Sequence, residues 1–504
     1  MKNFSDRQRG HLLTLVVFLG ALALYIPTLA PGLLWGGGDF ATFQLKAYLL
    51  EIDLPSGIFG HPLWVILAHP FTWLPIRDVA WRANLASAVF AALALVLLFL
   101  TARRLTSSLS ASLLATAALA VSHTFWTYAV MAKVYSLNAL LLIACIYLLI
   151  RWGEKRTGGY LSAFAFLYGL SLFNHLVMAT VAAGFLVYIA IQIWHRRREP
   201  GLWRQLAVAA LAGLVGLSPY LFLLFRTGTT GEALNTVIGF LRGLGYGFAR
   251  PAAFLLGIGA GIALLLYQFP VTSLVGFAGL RQTFRQARPE AWMLGLAALG
   301  NVLFLLAATD PRTGGEYWWN LHYYLQTYVI FALWIAVGFA FLWPRLSSRK
   351  EWTMATIGLT IVLPVALYAS APLIARPFLS NVPGFRPLYG RDNLTYVLSP
   401  WKHQETGARK LGESILDVLP ENSVLFADYS IWAVIRYLQV VEHARPDVEL
   451  VKLPGPSDQV SLILQYKDSP SLFLADTYRY YDIEGIQRHF AIVPWGPIYQ
   501  LVPK

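Results

Sequence analysis

Cysteine and charge are both scarce in this chain of 504 residues. Charged residues make up 13% of it, against 57% hydrophobic residues and a mean hydropathy of +0.56. So few charges exclude a water-soluble globular protein of this length and indicate a polytopic membrane protein. The single cysteine, Cys145, lies inside an apolar run, which excludes both a disulfide framework and a cysteine-based metal site.

Acidic residues are also in short supply. The chain has 26 Asp and Glu against 39 Lys and Arg, a net charge of +13. In a membrane protein such an excess is typical of cytoplasmic loops, which are rich in Lys and Arg. The basic clusters follow every second apolar segment, and they lie at 2–9, 103–104, 151–156, 195–198, 281–288 and 344–350. The N-terminus is therefore expected in the cytoplasm, and no nucleic acid partner is expected.

The apolar runs come in segments of about 20 residues, which is the length a helix needs to cross a hydrocarbon core of about 30 Å. Eleven such segments are found, at 11–30, 83–103, 108–128, 134–152, 158–173, 176–195, 204–226, 252–269, 291–308, 324–344 and 354–375. The first is predicted to be an uncleaved anchor. The sequence thus predicts an integral protein of the bilayer, which for a bacterial protein is the inner or plasma membrane, with its C-terminal segment outside the cytoplasm.

Residues 377–504 differ in composition from the membrane domain predicted over 1–376. Apolar residues repeat at helical spacing over 431–443, and short β-type runs occur at 423–429, 447–453, 471–476 and 499–502. These patterns predict an extracytoplasmic α/β domain. The rest of the outer surface is predicted to consist of loops at 31–82, 226–251 and 309–323.

Unusual polar residues gather on this predicted outer face. The sequence shows no glycine motif for a nucleotide phosphate, and its histidines lack paired ligand spacing, so no nucleotide, metal or other cofactor is expected. A donor used on the outer face has to be carried in the membrane, and a lipid-linked phosphosugar fits. Its headgroup requires cations for the phosphate, aromatic rings for the sugar and a carboxylate to take the proton of the acceptor.

Several long segments resemble one membrane family. They include "YIPTLAPGLLWGGGDF" at 25–40, "GHPLWVILAHPFTWLP" at 60–75, "TFWTYAVMAKVYSLNALLL" at 124–142 and "LSLFNHLVM" at 170–178. The chain is similar here to the DUF2723 family, grouped as glycosyltransferase family 117, which includes protein O-mannosyltransferases of GT-C architecture. The resemblance implies a GT-C enzyme that moves a sugar, mannose in the family, from a polyprenyl-phosphate donor to a hydroxyl of a protein or glycan acceptor.

One carboxylate stands out in the first predicted outer loop. "LLWGGGDF" at 33–40 keeps a single acid, Asp39, where the family has an acidic cluster, and Lys133 replaces another acid of the family. The resemblance assigns Asp39 the role of general base, which takes the proton of the acceptor hydroxyl as the sugar carbon is attacked. Asp39 equally suits the N-cap of a helix that begins at Phe40, and one residue can fill both roles.

The remaining candidates form a donor set and an acceptor set. The donor phosphate is expected to contact Asn174, His175, Arg226, Lys133, His61, Arg312 and His322. The acceptor is expected to lie near Glu51, Asp53 and Asp428. Each residue has a structural alternative, which is a helix cap, a side chain at the membrane interface or a position in a solvated loop.

Two other kinds of function stay open at this point. A transporter or flippase for lipid-linked sugars would also have many spans and polar groups within them, but such groups usually lie near the bilayer midplane and often accompany internal repeats. Here they gather at one face. A non-catalytic relative that binds a lipid-linked glycan is the second alternative, because the chain lacks the family's second acid.

Overall fold

The computed structural model of the chain describes residues 6–36, 40–52, 60–228, 230–313, 320–469 and 471–504. Up to Ala375 these residues form sixteen α-helices. The bounds of the first eight are α1 (Asp6–Tyr25), α2 (Phe40–Leu49), α3 (Pro62–Ala68), α4 (Val79–Thr106), α5 (Leu109–Ala120), α6 (His123–Ala129), α7 (Tyr135–Lys155) and α8 (Gly158–Asn174). The next eight are α9 (Ala182–Arg196), α10 (Leu202–Arg226), α11 (Thr230–Phe248), α12 (Pro251–Gln268), α13 (Thr272–Arg285), α14 (Pro289–Ala308), α15 (Leu325–Leu346) and α16 (Lys350–Ala375).

The apolar helices confirm a polytopic membrane protein. Within the described residues nine helical segments are long and apolar enough to cross a membrane. A tenth span is available if α5 and α6, which meet at a bend of 68°, cross together. The remaining predicted span, 158–173, coincides with α8, whose 17 residues make it shorter than those nine. Every apolar segment found in the sequence thus overlaps a helix.

The prediction of an outer loop at 226–251 is wrong about the conformation of that segment. Most of 226–251 forms the helix α11, although five glycines within it favour a loop. One of the five allows close packing instead, because a Cβ added to Gly247 would lie 1.8 Å from the carbonyl oxygen of Ala307 on α14, whereas a Cβ added to any of the other four would meet nothing within 4 Å. Small residues let membrane helices approach each other in this way.

The chain after α16 forms an α/β domain. Its helices are α17 (Asn393–Leu398), α18 (Gly407–Val418), α19 (Tyr429–Glu442), α20 (Gln459–Leu464) and α21 (Ile483–Gln487). Its strands are β1 (Val424–Ala427), β2 (Glu449–Lys452), β3 (Leu472–Leu474), β4 (Phe490–Trp495) and β5 (Ile498–Pro503). The strands β1, β2, β3 and β5 lie at the four predicted β-type runs, and α19 lies at the predicted helical repeat. The sequence pattern does not predict β4.

The five strands form one mixed sheet in the order β2, β1, β3, β5, β4, in which β1, β2 and β3 are parallel. Alternate side chains of β1 face opposite sides, as the two-residue period of a strand requires. Leu425 and Ala427 pack with α18 and α19, whereas Val424 and Phe426 pack with Ile463 of α20. Helices therefore cover both faces of the parallel strands.

The first loop of the membrane domain packs into this α/β domain. Leu33, Trp35, Ala41 and Leu45 share a buried apolar cluster with α18 and α19. At one point the backbones touch, since the N–H of Gly36 donates to the carbonyl oxygen of Ser430 at 3.1 Å. The C-terminal domain and the described part of the first loop therefore belong to the same end of the molecule.

The basic loops lie at the other end of the helices. Arg104, near the end of α4, lies 3.7 Å from Glu154 near the end of α7, and Arg156 pairs with Glu199 at 2.7 Å. The polar candidate residues and the basic clusters are thus separated along the spans, as the charge pattern predicts. Which end faces the cytoplasm stays a prediction.

Candidate active site

Five of the predicted donor residues lie together where helices of the membrane domain end near the C-terminal domain. Lys133 precedes α7, His61 precedes α3, Asn174 ends α8, His175 follows it, and His322 lies in the turn before α15. The ends of these helices converge, so residues widely spaced in the sequence become neighbours.

The backbone holds two of these imidazoles side by side. Nδ1 of His61 lies 2.7 Å from the carbonyl oxygen of Asn174, and Nδ1 of His175 accepts a hydrogen bond from the N–H of Val177 at 3.1 Å. The two rings are 4.7 Å apart between centroids. Because Nδ1 of His175 is an acceptor, a neutral His175 carries its proton on Nε2 and can donate a hydrogen bond there.

Tyr135 connects this pair to His322. Its ring centroid lies 5.8 Å from that of His175 and 4.1 Å from that of His322. Nε2 of His322 is buried, and it has no hydrogen-bond partner among the described residues. A buried polar atom without a protein partner calls for an explanation, and a ligand that contacts it is one.

Lys133 brings a positive charge to the same place. The residue is only 6% exposed, and its Nζ lies over the rings of Phe43 at 4.8 Å, Phe40 at 5.4 Å and Tyr135 at 5.9 Å. The negative faces of aromatic rings attract an ammonium group and so offset part of the cost of burying it. The charge thus stays at the end of the bundle, where an anion can reach it.

Lys133, Tyr135 and His322 border a cavity of about 520 Å³, which we term the basic chamber, whereas His61, Asn174 and His175 are not among its described lining residues. The membrane domain contributes Phe40, Tyr128, Lys133, Tyr135, His322 and Tyr323 to its wall, and the C-terminal domain contributes Arg386, Arg391, Ser430 and Arg479. Four of the thirteen described lining residues carry a cationic side chain, so the chamber is suited to an anion.

A second cavity, of about 450 Å³, adjoins the chamber, and we term it the apolar cavity. Phe40, Tyr128 and His322 line both spaces. The rest of its wall is mainly hydrophobic and includes Met131, Ala260, Ala263, Leu264, Phe385, Val397 and Leu398. A molecule with a charged head and an apolar tail can therefore occupy the two spaces at once.

Arg386 is fixed in the wall of the chamber by two carboxylates. Its Nη1 donates to Asp428 at 2.9 Å, its Nη2 donates to Asp476, and its guanidinium lies 5.0 Å from the ring of Tyr478. Burial disfavours the charge of Arg386, but the attraction of Asp428 and the hydrogen bond to Asp476 outweigh burial and raise its pKa above the usual value. Arg386 is therefore held charged in one position.

The remaining predicted residues lie elsewhere or outside the described part of the chain. Arg312 pairs with Asp310, with Nη2 to Oδ2 at 2.7 Å, and that pair lowers the pKa of Asp310 to about 2. Arg226 and Glu51 are exposed, and neither lines the chamber or the apolar cavity as far as the structure describes them. Asp39 and Asp53 lie outside the described residues.

Asp428 is the one acceptor candidate with described contacts. It caps α19, because its Oδ1 accepts from the N–H of Ser430 at 2.9 Å, and its Oδ2 accepts from the hydroxyl of Tyr481 at 2.6 Å. Both oxygens are thus engaged within the domain. This geometry supports the structural alternative for Asp428, which is a cap that also holds Arg386.

Sequence reasoning missed the arginines that the C-terminal domain contributes. Arg386 and Arg391 occur in "RPLYGRD" shortly after the last span, and Arg479 occurs in "DTYRYYD" after β3. Their only signal is position: two directly follow a membrane helix, and the third follows a parallel strand. Neither feature shows that they meet Lys133, because that depends on how the domain docks.

Comparison with known proteins supports the resemblance over the N-terminal part. The family model for the Protein O-mannosyl-transferase TMEM260 N-terminal domain matches residues 39–198. The mouse Protein O-mannosyl-transferase TMEM260 is 31% identical over 239 residues, which are 45% of this chain and 33% of that protein. The chain thus spans about a third of the length of this relative.

Solved structures match the whole chain. ArnT from Cupriavidus metallidurans in the apo state has a TM-score of 0.64 at 15% identity, covering 99% of this chain and 98% of that one. The same protein bound to undecaprenyl phosphate has a TM-score of 0.61 at 16% identity, covering 97% of each chain. The chain is therefore a polytopic membrane protein with the GT-C-like fold of ArnT and a C-terminal α/β domain.

Proposed function

We propose that this chain is a membrane glycosyltransferase that moves a sugar from a polyprenyl-phosphate donor to an acceptor hydroxyl. The observation that carries the proposal is the contact between the basic chamber and the apolar cavity along Phe40, Tyr128 and His322. The apolar cavity accepts the prenyl chain, and the chamber accepts the phosphate and the sugar. The similarity to ArnT, a protein solved with undecaprenyl phosphate, and to a protein O-mannosyltransferase supports this assignment.

The chamber residues divide the chemistry between them. Lys133 and Arg391 neutralise the phosphate, and the bond from the anomeric carbon to the phosphate oxygen breaks as a bond to the acceptor oxygen forms. The phosphate leaves with the electron pair of the broken bond. The Nε2 atoms of His175 and His322 lie at the same end of the bundle and are suited to hydrogen bonds with phosphate or sugar oxygens.

The acceptor proton needs a base, and Asp39 is our assignment for it. Asp39 lies outside the described residues, but it directly precedes Phe40, which lines both cavities. A carboxylate positioned as a general base contributes about 100-fold to 10,000-fold to a rate. We further propose mannose as the sugar and protein Ser or Thr as the acceptor, on the outer face, because the mouse relative is a protein O-mannosyltransferase and the charge pattern predicts that orientation.

A reconstitution experiment separates an enzyme from a transporter. The purified chain is placed in liposomes with radiolabelled polyprenyl-phosphate mannose and Ser- or Thr-containing peptides. We expect label in the peptide fraction. Movement of labelled lipid between leaflets without transfer to any acceptor would contradict the proposal and favour a flippase, and binding alone would favour a non-catalytic glycolipid-binding protein.

A further inference from the structure

A crevice opens in the C-terminal domain at the ends of its parallel strands. From β1 the chain crosses through α19 to β2 on one side, and from β2 it crosses back through α20 to β3 on the other side of β1. The first connection leads to one side of β1 and the second leads to the other side. The boundary between β1 and β3 is therefore a topological switch point of the sheet. In open α/β sheets ligands bind in the crevice outside the carboxyl ends of the strands at such a point.

The structure has a cavity of about 410 Å³ there, which we term the strand-end crevice. Tyr429 after β1, Pro456 after β2 and Tyr480 after β3 are among its lining residues. It shares Arg386, Ser430 and Arg479 with the basic chamber. The switch point of the C-terminal domain thus adjoins the cavity assigned to the donor.

The carboxylates of the crevice are already satisfied within the domain. Asp428 and Asp476 both bind Arg386, and Asp476 Oδ1 also accepts from the N–H groups of Thr477 and Tyr478 at 2.6 and 3.2 Å. The two acids therefore offer a ligand little negative charge. The crevice is therefore not acidic, although Asp428 lines it and Asp476 pairs with its Arg386.

Arg479, which also lines the crevice, has no such partner in the described part of the chain. Arg479 is exposed, its guanidinium lies 5.5 Å from the ring of Tyr478, and it has no carboxylate within 4.0 Å in the described part of the chain. Lys452, at the end of β2, lies next to the crevice, because its Nζ is 4.7 Å from the ring of Tyr429, which lines it, and 5.4 Å from the ring of Trp432. What the crevice presents to a ligand is thus positive charge next to aromatic rings.

We propose that the strand-end crevice binds the acceptor as an acidic polypeptide segment, whose Asp or Glu side chain pairs with Arg479 while its Ser or Thr enters the basic chamber. This inference rests on the proposed function, because it assigns an entry site for the acceptor of that reaction. A guanidinium binds a carboxylate through two parallel hydrogen bonds, which fixes the register of the segment as well as its charge. The polar lining of the crevice does not suit a second prenyl chain.

Charge reversal at Arg479 tests the proposal. Two peptides with the same Ser or Thr are compared as acceptors, one with Asp and one with Lys at the neighbouring positions. Because Arg479 is exposed to solvent, we expect the wild-type chain to show a KM about twofold to fivefold lower for the Asp peptide, and Arg479→Glu to reverse that preference. The matched control is Arg436→Glu, which makes the same charge change at an exposed position of α19.

The outcomes separate the two proposals. If the wild-type chain transfers sugar to no acceptor of any kind, the proposed function fails. If it transfers sugar but Arg479→Glu lowers turnover of both peptides equally, or raises the KM of the lipid donor alone, the crevice is not the acceptor site. Wild-type transfer to glycolipid acceptors and not to peptides would likewise overturn the inference. A changed peptide preference in Arg436→Glu would overturn it too, because the net charge of the domain, and not Arg479, would then determine which peptide is preferred.

Discussion

Replacing Gly36 with alanine would place a methyl group where two parts of the chain meet. A Cβ at this position would lie 2.4 Å from the carbonyl oxygen of Tyr429, 2.7 Å from the Cβ of Ala433 and 2.9 Å from the carbonyl oxygen of Ser430. Two of the three atoms are backbone, and they belong to the first turn of α19, so no side-chain rotation relieves the contact. The first loop and α19 must separate by about 1 Å, and such overpacking typically costs about 1–3 kcal/mol.

This separation would displace residues of the proposed site in both the first loop and the C-terminal domain. Gly36 lies three residues before Asp39, and Ser430 lines the basic chamber. A misplacement of about 1 Å of groups that position a substrate can cost about 100-fold in rate. We therefore expect Gly36→Ala to lose sugar transfer to about that extent while it still inserts into the membrane.

Two measurements follow from this reasoning, which are the rate of sugar transfer in liposomes and the thermal unfolding of the detergent-solubilised protein. The matched control is Gly20→Ala in α1, where an added Cβ meets nothing within 4 Å. We expect that control to keep its stability or gain slightly, because alanine has the higher helix propensity. Wild-type transfer and wild-type stability in Gly36→Ala would refute the account of this contact.

Two further substitutions test the cations of the chamber. Lys133→Met should weaken binding of a fluorescent polyprenyl phosphate by about tenfold to 100-fold, because a hydrogen bond to a charged group contributes about 1.5–3 kcal/mol. The control is Lys410→Met, which removes an exposed lysine of the C-terminal domain. Unchanged affinity in Lys133→Met would exclude Lys133 from the phosphate site. Asp428→Asn removes one of the two carboxylates that hold Arg386, and because Asp476 remains, we expect a cost below the value of about 3–5 kcal/mol for a buried charge left with no partner. Hydrogen exchange over β1 and α19 should become faster in that variant, and unchanged exchange would show that Asp428 is not needed to hold Arg386.

Local patterns in the sequence predict much of the architecture. The helix that begins at Phe40 and the strand Val424–Ala427 both follow from short-range periodicity, which depends on which face a residue buries. The helix Thr230–Phe248 does not follow, because its five glycines favour a loop, and the close packing of one of them, Gly247, against α14 cannot be read from the local sequence. Periodicity predicts which secondary structures a segment can form. Its tertiary contacts determine which of these structures it adopts.

The candidate site was predictable only on the membrane side. Lys133, Asn174 and His175 are polar residues next to apolar runs, where their cost in a bilayer makes them conspicuous. Arg479 is an ordinary charged residue of a polar domain, so nothing local distinguishes it. It lines the chamber because a loop more than 400 residues earlier packs against α19, and that docking is a long-range property of the fold.

The proposed base provides the most direct test of the account. The rate of sugar transfer from polyprenyl-phosphate mannose is measured for Asp39→Asn and for Asp468→Asn, an exposed acid-to-amide control in the C-terminal domain. The account predicts that Asp39→Asn binds the donor with wild-type affinity and transfers sugar about 100-fold to 10,000-fold more slowly, while Asp468→Asn transfers at the wild-type rate. Transfer by Asp39→Asn at the wild-type rate would contradict it.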